Sequence, residues 1–189
     1  MGYFDFQVFP SKPEDFDLNK GVKFESGKAG EFFVQNLTIY EGAISLDTLA
    51  STDESKRILL DMFEWGRVQL GLSFDENLIR RWGHISHITF RADVPLLVLQ
   101  SSPVQKLAEK ISTVTDETFG GLKYQPNQLW IGHDPIVRKN GIASFVIVHR
   151  GNTRFEENIF WSEAPLPTNL HVKFIREFEK DVKAQSHES

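Results

Sequence analysis

The order in which hydrophobic periods follow one another constrains this chain most. Three stretches repeat apolar residues every three or four positions, and each stands alone between groups of short alternating or continuous apolar runs. Strands that arrive in groups, separated by single helices, suit an antiparallel or mixed sheet with helices packed on it better than strict βαβ alternation. The predicted fold class is therefore α+β, with roughly six to eight strands and about three amphipathic helices.

The first helix is predicted from Ser51 to Leu72, with Ser51 and Glu54 in capping-box spacing and Gly71 as its stop. Ile58, Leu59, Met62, Phe63 and Leu70 form its apolar stripe, and Gly66 in the interior implies close approach of another group. A second helix is predicted from Ser102, with Pro103 at its first position, a buried stripe of Val104, Leu107, Ile111 and Val114, and a stop at Gly120-Gly121. A third begins near Thr168, with Leu170, Phe174, Phe178 and Val182 four apart.

Strand-like runs fill the intervals. GYFDFQVFP alternates up to Pro10, and a polar loop is expected from Ser11 to about Lys28. Residues 31–48 carry two β-rich runs around Glu41-Gly42, predicting either a hairpin, the preferred reading, or one long bulged strand. ISHITFR, PLLVLQ, QLWIG, IASFVIVHR and ENIFWS follow, the third and fourth joined across Lys139-Asn140-Gly141, where Asn-Gly supplies a tight turn. With 189 residues, one hydrophobic core is the default, so a single globular domain is expected over 1–183. Residues 1–30 form its Phe-rich N-terminal arm and polar loop, and AQSHES, 184–189, reads as a disordered tail.

Composition excludes several chemistries. The chain has no cysteine, which removes disulfides, thiolate zinc sites and cysteine nucleophiles and suits a reducing compartment. A net charge of −5 gives no general attraction to phosphate backbones or anionic lipid, so neither nucleic acid nor a membrane is the expected partner. The start, MGYFDFQVFPSKPEDFD, is acidic where a secretion signal would be basic and then apolar, and the expected location is cytoplasmic. There is no GxxxxGK[ST] loop, GxGxxG turn, GxSxG elbow or HExxH motif, and no cofactor is expected.

The densest cluster of reactive side chains is RRWGHISHITFR, with His84 and His87 three positions apart. On a strand, residues three apart project to opposite faces, so the two rings cannot share a metal ion, and no metal site is predicted. Alternation instead puts His87, Thr89 and Arg91 on one face with Ile85, and His84, Ser86, Ile88 and Phe90 on the other. An imidazole, a hydroxyl and a guanidinium side by side could hold an anion and shuttle a proton. His87-Ile88-Thr89 resembles the His-x-Thr/Ser element of two-histidine phosphoesterases, whose mechanism requires two such elements facing one another. The chain has one, since His171 is followed by Val172 and Lys173 on a predicted helix, and the resemblance is not adopted. His171 itself reads as a packed histidine on that helix's apolar side.

Two other patterns reduce to ordinary structure. Asp15, Asp17 and Asn19 imitate the start of a calcium loop, but Gly21 and Glu25 fall out of register, leaving a solvated acidic loop. His133-Asp134 are adjacent, hence point apart on an extended chain, and read as turn residues.

With no converging constellation, the expected function is a non-catalytic protein-binding or assembly protein: an inhibitor, an immunity-type protein or a complex subunit. Its partner would be another protein or a second copy. Phe9, Phe16 and Phe24 in the arm and Phe160 and Trp161 in the last aromatic run are the candidate anchors, because aromatic residues dominate interface energies. The alternative is a metal-independent hydrolase or an anion- or phosphate-binding protein using His87, Thr89 and Arg91.

Overall fold

The computed structural model describes residues 4–97, 102–120, 123–134, 136 and 142–188. Among the described residues the fold is α+β with seven strands and three α-helices, and every strand pairing is antiparallel. The strands do not join in one sheet. They divide into sheets of three and four strands, within two compact units, residues 1–82 and 83–189.

The first unit is built on β1 (Val22–Ala29), β2 (Phe32–Ile39) and β3 (Ile44–Thr48), in that spatial order. The hairpin predicted around Glu41-Gly42 joins β2 to β3, closed by Tyr40 N–H donating to the Ala43 carbonyl at 2.8 Å. β1 lies inside the stretch predicted as a polar loop. Lys23, Glu25, Ser26 and Lys28 made that stretch look solvated, yet the burial of Val22 and Ala29 and pairing with β2 hold it extended. α1 (Thr52–Leu70) begins where the capping residues predict, with Ser51 Oγ accepting from Glu54 N–H at 3.2 Å, and ends at the left-handed Gly71, φ 67°. Ile58 packs with Val34 and Ala29, and Thr48 Oγ1 meets Ser55 Oγ at 2.7 Å, tying β3 to the helix. Gly66 is buried, and a methyl placed there would stand 3.0 Å from Leu72 Cδ1, the close approach its position implied.

In its described part, from Phe4 on, the arm folds back on this sheet instead of forming the strand predicted for GYFDFQVFP. Val8 makes a single bridge to Glu25, and Phe6 lies 5.0 Å from Phe4 and 5.5 Å from Phe24, centroid to centroid. The Phe6 ring sits so close over Gly27 that a Cβ there would fall 2.5 Å from it.

The second unit has β4 (Ser86–Arg91), α2 (Ser102–Phe119), β5 (Gln128–Ile131), β6 (Phe145–His149), β7 (Ile159–Ala164) and α3 (Thr168–Glu188). Its sheet runs β4-β7-β6-β5, a meander of β5, β6 and β7 with β4 added outside β7. The core consists of Ala92, Leu96, Leu97, Ile147, Phe160, Ile175 and Val182. PLLVLQ is not a strand in its described part: Leu96 and Leu97 lie in a turn although both are buried, because a continuous apolar run records burial and not strand pairing. The Lys139-Asn140-Gly141 turn and Gly121 lie outside the described residues.

Two further expectations change. The stripe of α2 is not buried: Val104, Leu107, Ile111 and Val114 are all exposed, since helical periodicity shows which face is apolar but not what covers it. α3 continues through Glu188, so 184–188 are helical where a disordered tail was predicted; Ala184 and Gln185 are good helix formers and extend the helix past the buried Val182. Among the described residues, no helix is long and apolar enough to cross a membrane.

Candidate functional site

Strand pairing in the second unit builds two faces from alternate residues. On one, Ile88, Ser162, Ile147 and Leu129 form a rung across all four strands, flanked by Phe90 opposite Phe160. These residues point to the core, where Ile175 and Val182 of α3 also lie. The other face therefore carries His87, Glu163, Val146 and Trp130 in one rung and Thr89, Trp161, Val148 and Gln128 in the next, with Arg91 opposite Ile159 beyond.

This outer face gathers the three residues predicted to share a strand side, and His87, Thr89 and Arg91 are all exposed. Cross-strand pairing adds what the strand alone could not show. His87 Nε2 lies 2.8 Å from Glu163 Oε2, and the His87 ring rests 5.4 Å from the Trp161 ring. An anion entering beside His87 would meet that carboxylate, which already accepts from the imidazole. Trp161 is half-buried between Thr89 and Val148, and Trp130 is 68% exposed. The face thus sets Trp161, Val148, Val146 and Trp130 side by side, with His87 and Glu163 in one rung, Thr89 and Gln128 in the next and Arg91 beyond.

The other predicted anchors are dispersed. Phe160 is 2% exposed and belongs to the core, on the opposite side of β7 from Trp161, as alternation along a strand requires. Phe24 is half-buried against Phe6. Phe9 and Phe16 remain well exposed on the first unit. His84 precedes β4 in irregular backbone. The acidic loop turns its carboxylates onto its own backbone: Asp15 accepts from the Ser11 and Lys12 N–H groups, Asp17 from that of Asn19, and these bonds hold both carboxyls below the usual range. Asp134 likewise accepts from Ile136 N–H at 2.9 Å. Among the described residues, no group of three His, Asp or Glu side chains could hold a metal ion.

The structure adds a polar cluster that the sequence did not assemble. His171, on α3, has no solvent exposure; its Nδ1 lies 2.8 Å from Ser86 Oγ and its Nε2 2.8 Å from Ser162 Oγ. Ser162 donates its proton to the Val146 carbonyl at 2.6 Å, so it accepts from His171. Nε2 therefore carries a hydrogen, and with burial disfavouring a second proton the neutral ring accepts from Ser86 Oγ at Nδ1. Burial, above all, and then the neighbouring His87 charge depress the His171 pKa, while the Ser86 backbone opposes them. The available signal was parity: Ser86 and Ser162 both alternate with core residues, and His171 stands one turn before Ile175. With both serines and the ring enclosed, this cluster locks α3 to the sheet and offers no reactive surface.

A cavity of about 460 Å³ opens at the end of β5 and β6, walled by Ile131, Ile142, Ala143, Phe145 and Pro165 beside His133 and Asp134. Among the described residues its lining is largely apolar. No protein-family model matches the chain, and no curated protein and no solved structure matches it either.

Proposed function

We propose that this is a non-catalytic binding or assembly protein, an inhibitor or complex subunit, that engages another protein through the outer face of the four-stranded sheet. The observation that carries the reading is the seating of Trp161, half-buried on the inner strand β7 beside Val148, with Trp130 exposed on the neighbouring rung and the polar His87, Glu163 and Gln128 around them. Half-exposed tryptophans ringed by polar groups are the side chains that cost ~2 kcal/mol or more when truncated at interfaces. A reducing, cytoplasmic setting belongs to the same proposal and rests on the cysteine-free composition.

The test is affinity capture from the native lysate with wild-type protein, Trp161→Ala and Thr89→Arg, each first checked for unchanged thermal unfolding. Loss of a stoichiometric companion in both variants supports the reading. Identical captures from all three proteins refute it.

The anion-binding reading keeps one observation in its favour, the common exposure of His87, Thr89 and Arg91. Titration with inorganic phosphate, followed by the histidine NMR signals, separates the two. Saturable shifts at His87 that vanish in Arg91→Ala favour the anion site; an unchanged spectrum leaves the face to protein binding.

A further inference from the structure

The two edges of the four-stranded sheet differ in a way that bears on what they meet. β4 carries His87 and Arg91, with Asp93 paired to Lys183 just beyond it, and charges on an edge strand block another strand from adding there. β5 has none of these defences. From Gln128 to Gly132 it holds no charged residue and no proline.

Its hydrogen-bonding groups can be placed from the ladder. His149 N–H donates to the Asn127 carbonyl at 2.8 Å, and the pairing of Gln128 with Val148 makes 127 and 149 directly opposite. Hydrogen-bonded and non-bonded pairs alternate in an antiparallel ladder, so Leu129 with Ile147 and Ile131 with Phe145 exchange the next bonds. The N–H and C=O groups of Gln128 and Trp130 consequently point away from β6, off the edge of the sheet. Trp130 and Ile131 beside them are 68% and 55% exposed.

We propose that β5 pairs with β5 of a second copy of this chain, antiparallel and with Trp130 opposite Trp130, joining two four-stranded sheets edge to edge. A second copy suits this edge for two reasons. The chain carries a net charge of −5, so two copies approach with least repulsion along an uncharged strip, and β5 is such a strip. The sequence QLWIG is also self-complementary in this register. Gln128 falls opposite Gly132 of the second copy, matching outward main-chain groups, and Leu129 falls opposite Ile131 on the helix side of the sheet. There Ile131 lines an apolar cavity together with Ile142, Phe145 and Pro165. The two indoles stack on the outer face, an arrangement that adds to the area they bury. This goes beyond the outer-face reading, which rests on Trp161 and requires no second copy.

The test is sedimentation of the full chain over a wide concentration range. A dimer is expected, and Trp130→Lys should weaken self-association roughly 30-fold or more, the loss that truncating a central tryptophan produces. Gln128→Pro removes an outward N–H at the first residue of the strand, where proline is tolerated, and should also yield monomer with unchanged thermal unfolding. The chain has no cysteine, so Trp130→Cys should form a disulfide-linked dimer under mild oxidation while Gln128→Cys should not, because only position 130 meets itself. A wild-type monomer at every concentration overturns the proposal. So does a dimer that survives both Trp130→Lys and Gln128→Pro, or cross-linking that is equal at the two cysteine positions. In Trp161→Ala the dimer should persist, which separates this outcome from that of the capture experiment.

Discussion

Ser162→Ala probes how α3 is held to the sheet. In the native protein the Ser162 hydroxyl accepts from His171 Nε2–H and donates to the Val146 carbonyl, and neither residue 162 nor residue 171 has any solvent exposure. Alanine leaves the imidazole N–H buried without an acceptor, at about 1–3 kcal/mol, and removes a further bond worth about 0.5–1.5 kcal/mol. We expect a loss of about 2–4 kcal/mol, large against the ~5–15 kcal/mol by which domains of this size are stable. In urea, at slopes of ~1–3 kcal/mol per molar, the midpoint should fall by roughly 1–4 M. A double-mutant cycle with His171→Phe isolates the interaction: once the donor is gone, Ser162→Ala should cost at least about 1 kcal/mol less. A loss below about 0.5 kcal/mol, or an equal loss in the two backgrounds, would refute the assignment of His171 as a donor locked between two serines.

Three other outcomes follow from the packing. His171 has a folded pKa below its ordinary 6.5, so the unfolded chain takes the proton first. Stability should hold above pH 6.5 and fall as the pH drops from there through the folded value, by at most ~1.4 kcal/mol per pH unit, and a urea series in His171→Phe should show that fall removed. Gly27→Ala drives a methyl into the Phe6 ring, 2.5 Å away, and should destabilise by about 1–3 kcal/mol, with calorimetry showing most of the loss relieved in Phe6→Ala. Gly66→Ala meets only the end of the exposed Leu72 side chain, which can turn aside, so the helix preference for alanine should prevail and thermal melts should show a gain of up to ~1 kcal/mol.

Legibility from sequence tracked the range of the interactions involved. The cap at Ser51, the stop at Gly71 and the hairpin between β2 and β3 depend on residues within a few positions of one another, and all three were readable. β1 was not, because its polar residues conceal an alternation that matters only once β2 lies beside it. The candidate face divides the same way. The common side of His87, Thr89 and Arg91 was readable from strand alternation, whereas Glu163 reaches His87 from a residue 76 positions away. Phe160 and Trp161 looked equivalent as neighbours in an aromatic run, yet one is core and the other surface.

Taken alone, the sequence determined the ends of the first helix, the hairpin between β2 and β3 and which residues of a strand share a side, because these follow from backbone geometry acting over one or two turns. Only the tertiary structure decided that the strands divide between two sheets, that α2 leaves its apolar stripe uncovered, that a carboxylate answers His87 and that two serines enclose His171. Those outcomes depend on which distant segments share a rung or a core. No side chain can specify its partner until the folded chain brings that partner within reach.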